Sequence, residues 1–229
     1  MITLSNVSKT YQAGAANAFT ALSAIDLTVD ENRMTVFKGP SGSGKTTLLS
    51  LIGCISRPTT GRIHIDGREI SGLPERFGAQ LRRETFGFIF QNYHLVRGLS
   101  VLENTMIPAY PTGKKYKLVR QRALELLEQL DLAPKASQVV ERLSGGEQQR
   151  TVIARSLIND PQIIIADEPT AHLDTDLARG LLTILASLKQ RGKTLLVASH
   201  DPLVCESPLV DHSVCMRDGR IVEGGSPAV

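Results

Sequence analysis

Thr35-Val36-Phe37-Lys38 runs directly into Gly39-Pro40-Ser41-Gly42-Ser43-Gly44-Lys45-Thr46, and an apolar segment follows as far as Ile55. A buried strand, a glycine loop and an apolar helix in that order leave few folds open. A strand that feeds a helix has to reach its next strand by a crossover, which builds a parallel sheet with helices on its faces. The loop fits the pattern G-x-x-x-x-G-K-[ST]. Its glycines let consecutive backbone N–H groups curl around the β- and γ-phosphates of a nucleotide. Lys45 adds a compact charge, and Thr46 offers a hydroxyl to Mg²⁺, which keeps several waters and uses phosphate oxygens. A flexible glycine turn is the plain alternative, and the flanking strand and helix argue against it.

The rest of the chain repeats the alternation. Ile2 to Val7, Ala24 to Val29, Gly61 to Gly67 and Phe86 to Phe90 read as strands. Ile163 to Ala166 and Thr194 to Ser199 are short apolar runs suited to central parallel strands. Between Asn92 and about Asp160 the pattern turns helical. Val119, Ala123, Leu126, Leu127 and Leu130 share one helical face, and Pro134 closes that segment. Leu177 to Gln190 is a further helix. The middle, 92–160, reads as a helical insertion, with 1–91 and 161–229 forming the core of one domain over 1–229.

Composition narrows the classes. Hydrophobic content of 41% and charged content of 21% are ordinary for a globular chain. A net charge of +3, with its one cluster at Lys114, Lys115 and Lys117, lacks the dense basic face of a nucleic-acid binder. No apolar run approaches the ~18 residues of a membrane span. Met1-Ile2-Thr3-Leu4 carries no sign of a signal peptide. Cys54, Cys205 and Cys215 are odd in number and lack metal-ligand spacing, as expected of thiols in a reducing compartment.

A second anion site stands at Leu143-Ser144-Gly145-Gly146-Glu147-Gln148-Gln149-Arg150. It reads as a helix N-terminus with two glycines at its mouth. Such an end presents free N–H groups and a partial positive charge. One triphosphate rarely needs two such sites, so the octet is expected to serve the nucleotide of another copy.

Acids and polar residues fall at strand ends. Asp167 and Glu168 close the run from Ile163, where carboxylates face the ligand crevice of an open α/β sheet. Asp167 suits Mg²⁺, and Glu168 suits polarising an attacking water. Gln91 could reach the metal or the water, or be a surface polar residue. His200 could sense a γ-phosphate, or be a capped histidine. Tyr11 could stack on adenine, or simply end a strand.

Taken together, the chain resembles the ATP-binding-cassette (ABC) ATPases over essentially all of its length. Gly39–Thr46 matches their Walker A motif, Gln91 the Q-loop and Leu143–Arg150 the signature. Ile163–Glu168 matches Walker B, Ala171–Asp174 the D-loop and His200 the switch histidine. The resemblance implies an α/β P-loop NTPase fold with a mostly parallel core sheet, an N-terminal antiparallel β part and an inserted helical subdomain. It implies an ATPase using ATP and Mg²⁺, with Thr46, Gln91 and Asp167 at the metal. Tyr11, Gly39 to Thr47, Ser144, Gly145, Gly146 and Asp174 would bind nucleotide, and Glu168, His200, Lys45 and Gln91 would act in catalysis. It further implies a head-to-tail homodimer around two ATP, an integral membrane permease as partner, and a peripheral place on the cytoplasmic face of the cell membrane. Nucleic acid is not expected. The rival is a soluble ABC-type ATPase acting on DNA or ribosomes, but the chain has no heptad run, metal cysteines or second P-loop. The Ala15–Phe19 stretch, the run Phe88 to Leu95 and the stop soon after Ile221 look like the lipoprotein-releasing and macrolide-exporter group, which couples ATP to efflux or mechanical work. His172 departs from the small residue usual in the D-loop.

Overall fold

The computed structural model describes residues 1–171 and 173–222. It opens with a long hairpin, β1 (Ile2–Tyr11) and β2 (Phe19–Val29), then β3 (Met34–Lys38) and α1 (Lys45–Ile52). There follow β4 (Thr60–Ile65), β5 (Arg68–Glu69), α2 (Glu75–Thr85) and β6 (Phe86–Ile89). The helical middle holds α3 (Val101–Met106), α4 (Tyr116–Gln129) and α5 (Gly145–Leu157). The chain then returns through β7 (Ile163–Asp167), α6 (Thr175–Gln190), β8 (Thr194–Ala198), α7 (Pro202–Cys205), β9 (His212–Arg217) and β10 (Arg220–Ile221).

Two sheets result. The N-terminal one is antiparallel, in the order β2-β1-β4-β5. The second runs β10-β9-β3-β8-β7-β6, parallel at every pairing except β9 with β10. This is the expected α/β arrangement. Strands β7 and β8 are buried along their whole length, and the side-chain alternation of a strand assigns their residues to opposite faces. Ile164, Ala166, Leu195, Val197 and Val36 join the core shared with the helical middle and α6. Ile163, Ile165, Leu196, Ala198 and Phe37 join the core beneath α1 and the N-terminal sheet. The helical middle therefore has no separate core. It closes one face of the same sheet, chiefly through α5.

Some elements differ from the sequence reading. The first helix ends at Ile52, not Ile55, because Cys54 takes a left-handed conformation with φ +56° that an α-helix cannot continue through. Helix α2 was not foreseen: its sequence, Glu-Arg-Phe-Gly-Ala-Gln-Leu-Arg-Arg-Glu-Thr, is largely polar and buries only Gly78. Strand β9 escaped for a similar reason, since Met216 is the one fully buried residue among its six.

Register fixes where the chemistry sits. Ala198 pairs with Phe37 on one side and with Asp167 on the other. The C-terminal ends of β3, β7 and β8 thus lie side by side. The residues that follow them, Gly39 onward, Glu168 and His200, share one crevice.

Candidate active site

The crevice is a cleft of about 500 Å³ lined by the loop from Pro40 to Thr47 with Phe19, Ala21, Gln91, Glu168 and His200. Gly44 is the N-cap of α1 with φ +101°, and a Cβ there would stand 2.8 Å from the carbonyl oxygen of Ala21. Only glycine meets both conditions, so the loop can turn its N–H groups into the cleft just before the helix begins. Lys45, buried, donates from Nζ to the carbonyls of Gly39 at 2.7 Å and Pro40 at 3.1 Å. Its charge is thereby held at the mouth of the loop.

Glu168 has φ +46°, a sparsely populated conformation for a non-glycine residue. Its backbone N–H donates to the Ala198 carbonyl at 2.8 Å, so the turn is anchored to the end of β8. The side chain is 12% exposed, with Oε1 lying 3.6 Å from Lys45 Nζ and 3.0 Å from His200 Nδ1. In the tautomer that carries its proton on Nδ1, the imidazole donates to Oε1. The His200 side chain is otherwise 71% exposed to the cleft.

Asp167 differs from its neighbour. It is buried, and burial pushes its carboxyl above the ordinary range. A hydrogen bond from the Thr46 side chain offsets part of this, while the adjacent Glu168 charge adds to it. Its Oδ1 is buried without a hydrogen-bond partner among the described residues. A buried, unpartnered carboxylate oxygen beside a hydroxyl is a set of hard oxygen donors, the kind Mg²⁺ takes. Among the described residues no group of three or more acidic, histidine or cysteine side chains forms a metal cage.

Ser144 is the N-cap of α5. Its hydroxyl accepts from the Glu147 N–H at 3.3 Å, and the Glu147 carboxylate accepts from the Ser144 N–H at 2.8 Å. Ser144 and Gly145 are exposed, and neither they nor Gly146 line the cleft. Gly146 is buried: a Cβ on it would lie 2.6 Å from Leu177 Cδ2 on α6. Its lack of a side chain thus serves helix packing, whereas Gly145 is open to approach. Asp174 caps α6 by accepting from the Leu177 N–H at 2.9 Å, and it too stands outside the cleft. His172 lies outside the described residues.

Sequence reasoning missed Phe19. Tyr11 and Phe19 pair across the hairpin, both rings are exposed, and Phe19 lines the cleft while Tyr11 does not. Lys9 Nζ stands 5.1 Å over the Tyr11 ring. The signal was the hairpin register, and a turn of uncertain length between the two aromatics concealed it.

A family model described as "ABC transporter" matches residues 22–171. The ABC transporter ATP-binding protein YvrO of Bacillus subtilis is 41% identical over 222 residues, covering 97% of this chain and 96% of that protein. The macrolide export ATP-binding/permease protein MacB of Salmonella typhimurium is also 41% identical over 97% of this chain, which spans only 34% of MacB's length. Among solved structures, the dimeric post-hydrolysis state of the cassette MJ0796 bound to ADP and Pi superposes with a TM-score of 0.89 at 36% identity, covering 99% of this chain and 98% of that one. CbiO1 of Clostridium perfringens, part of the transporter complex cbiONQ, gives 0.84 at 26% identity, covering 99% and 88%.

Proposed function

The chain belongs to the ABC transporter family as an ATP-binding cassette, and we propose that it is the ATP-hydrolysing subunit of a membrane transporter, closing head to tail with a second copy around two ATP. One observation carries this reading. The exposed mouth of α5 at Ser144 and Gly145 lies outside its own chain's cleft, so the N–H groups of Gly145 and Gly146, which the capping box does not use, are left to meet a phosphate held by another copy. The dimeric MJ0796 cassette, at 36% identity, supports the same arrangement.

In this reading the loop 39–47 and Lys45 hold the β- and γ-phosphates. Glu168 takes the proton of the attacking water, and His200, itself positioned by Glu168, contacts the γ-phosphate. Tyr11 and Phe19 offer two exposed ring faces for adenine at the cleft edge. Thr46, Asp167 and Gln91 would hold Mg²⁺, which when bound neutralises charge on the phosphate oxygens. Gln91 lies at the cleft and the helical middle follows it from 92 to 160, so we assign that part the task of reporting nucleotide state to the partner.

Asp167 supplies a test of the metal assignment. An acid whose pKa is raised by folding makes the folded chain bind more protons than the unfolded one. That stability is present at low pH and is lost as pH rises from the ordinary carboxyl pKa through the raised one. Asp167→Asn is therefore expected to stabilise the nucleotide-free chain by about 1–2 kcal/mol at neutral pH, to flatten that part of the pH profile, and to abolish Mg²⁺-dependent hydrolysis. Denaturant unfolding at two pH values, beside an ATPase assay, checks both. A destabilised variant that still hydrolyses ATP would remove Asp167 from the metal site.

For the partner, we propose an amphipathic cytoplasmic segment of an integral membrane permease. The supporting feature is an apolar groove of about 550 Å³ between α2, β6 and residues 107–111, floored by Phe86, Phe88 and Phe90 and flanked by Arg82 and Arg83. Arg155 crosses it to donate to the Tyr93 and His94 carbonyls at 2.6 Å, so the groove is tied to the segment after Gln91. Among the described residues no helix is long and apolar enough to cross a membrane, and the permease would hold the chain at the cytoplasmic membrane face. A tagged chain drawn from membranes in ATP is expected to bring a polytopic protein with it. Phe90→Glu should cut that recovery about tenfold or more with ATP binding unchanged. Equal recovery would refute the groove, and co-isolation of DNA or ribosomes instead would revive the soluble rival. MacB joins an ATP-binding part and a permease in one chain, which favours efflux or mechanical coupling as the work done.

A further inference from the structure

The amide of Gln149 is 3% exposed, and its Nε2 donates to the carbonyl of Pro169 at 3.1 Å. Its Oε1 is buried and has no partner among the described residues. A carbonyl can only accept, so the NH₂ end of the amide is the one that faces Pro169. Pro169 is the residue after Glu168. Gln149 lies three positions beyond Gly146, on the same face of α5. Gly146 meets α6 so closely that a methyl group there would stand 2.6 Å from Leu177 Cδ2. Between these two contacts Ala171 N–H donates to the Glu168 carbonyl at 3.1 Å and Leu173 N–H to that of Thr170 at 3.0 Å. The N-terminal turns of α5 are thus fastened to both ends of the segment that leads away from the catalytic carboxylate.

We propose that Gln149 is a positioning residue that couples the two ATP sites of the dimer. The inference rests on the head-to-tail reading above. In that dimer the octet of one copy touches its partner's nucleotide, whereas Glu168 of the same copy acts on its own. A shift of α5 on closing around the partner's ATP pulls Pro169 through the Gln149 bond, and with it the backbone of Glu168. Glu168 is held in a left-handed conformation, so a small backbone displacement changes where Oε1 points relative to Lys45 and His200. Occupancy of one site is then felt at the other within a single chain.

The test uses the full chain with Gln149→Met. Methionine keeps the length of the side chain, loses the donor and removes the unpartnered oxygen, so the fold is expected to tolerate it. Steady-state hydrolysis is measured against ATP concentration. The unaltered chain is expected to give a Hill coefficient above about 1.5, and Gln149→Met one near 1, with kcat lowered about fivefold. Half-saturating ATP should stay within about twofold, because the nucleotide-contacting groups are untouched, and a merely structural role would not produce that split. Leu177→Ala loosens the second contact without touching a polar group and should give the same signature, which decides the matter if Gln149→Met melts early. Cooperativity and kcat unchanged in a folded variant would overturn the coupling, as would a Hill coefficient of 1 in an unaltered chain that dimerises in ATP. An unaltered chain that forms no dimer in ATP would instead sink the head-to-tail reading.

Discussion

Replacing Glu168 by glutamine is expected to lower kcat by about 10²–10⁴-fold, the contribution of a positioned general base, while ATP still binds. The glutamine keeps the shape of the side chain and can occupy the same left-handed turn, so the backbone anchor from Glu168 N–H to Ala198 is preserved. What goes is the charge. The amide cannot take a proton from water, and it no longer attracts Lys45 across 3.6 Å. Lys45, at the mouth of the loop, is then freer to meet the phosphates. Because hydrolysis is what would reopen the dimer, the variant should accumulate as an ATP-bound dimer, visible by size-exclusion chromatography and by slow release of labelled ATP. A chain that stays monomeric at high protein and ATP, and also beside its membrane partner, would end the sandwich reading. The same trapped form is the natural bait for that partner, and the size of the partner's extracytoplasmic part would separate efflux from mechanical coupling.

The second large effect concerns who owns which half of a site. Lys45→Ala and Ser144→Arg are each expected to be inactive alone: the first loses the cation at the phosphates, and the second puts a bulky side chain over the mouth of α5. Mixed together they should regain activity. One composite site of each mixed dimer joins the intact loop of the Ser144→Arg copy to the intact octet of the Lys45→Ala copy. Random pairing makes half the dimers mixed, with one working site in two, so roughly a quarter of full activity is the ceiling for a two-fold symmetric assembly. Ser144→Arg also removes a capping box, which costs about 1 kcal/mol, so its thermal midpoint is read alongside. No recovery from a preparation shown to contain mixed dimers would mean that the octet serves its own chain.

Particular residues show why sequence reached as far as it did. The loop 39–46, the acidic pair at 167–168 and the octet at 143–150 are local: their chemistry depends on neighbours a few positions away, and periodicity places each at a strand or helix end. Phe19 is different. Its place at the cleft depends on hairpin register across a turn, and turn length is not written in the strands. Helix α2 buries almost nothing, so no apolar stripe announced it. Gly146 and Gly145 look equivalent in sequence, yet one is sealed by Leu177 and the other faces outward.

By itself, then, the order of residues determined the class of fold, the glycine loop before the first helix, the strand-end acids and a second glycine-mouthed helix N-terminus at Ser144. Each of these follows from short-range spacing and the preference of apolar residues for a buried face. The tertiary structure decided which of those pieces meet. Ala198 paired on both sides brings β3, β7 and β8 level, which sets Glu168 Oε1 3.6 Å from Lys45 and 3.0 Å from His200. The same packing leaves Ser144 outside and fastens Gln149 to Pro169. Contacts between residues far apart in the chain depend on how whole elements stack, and that is a property of the assembled core and not of any local run of side chains.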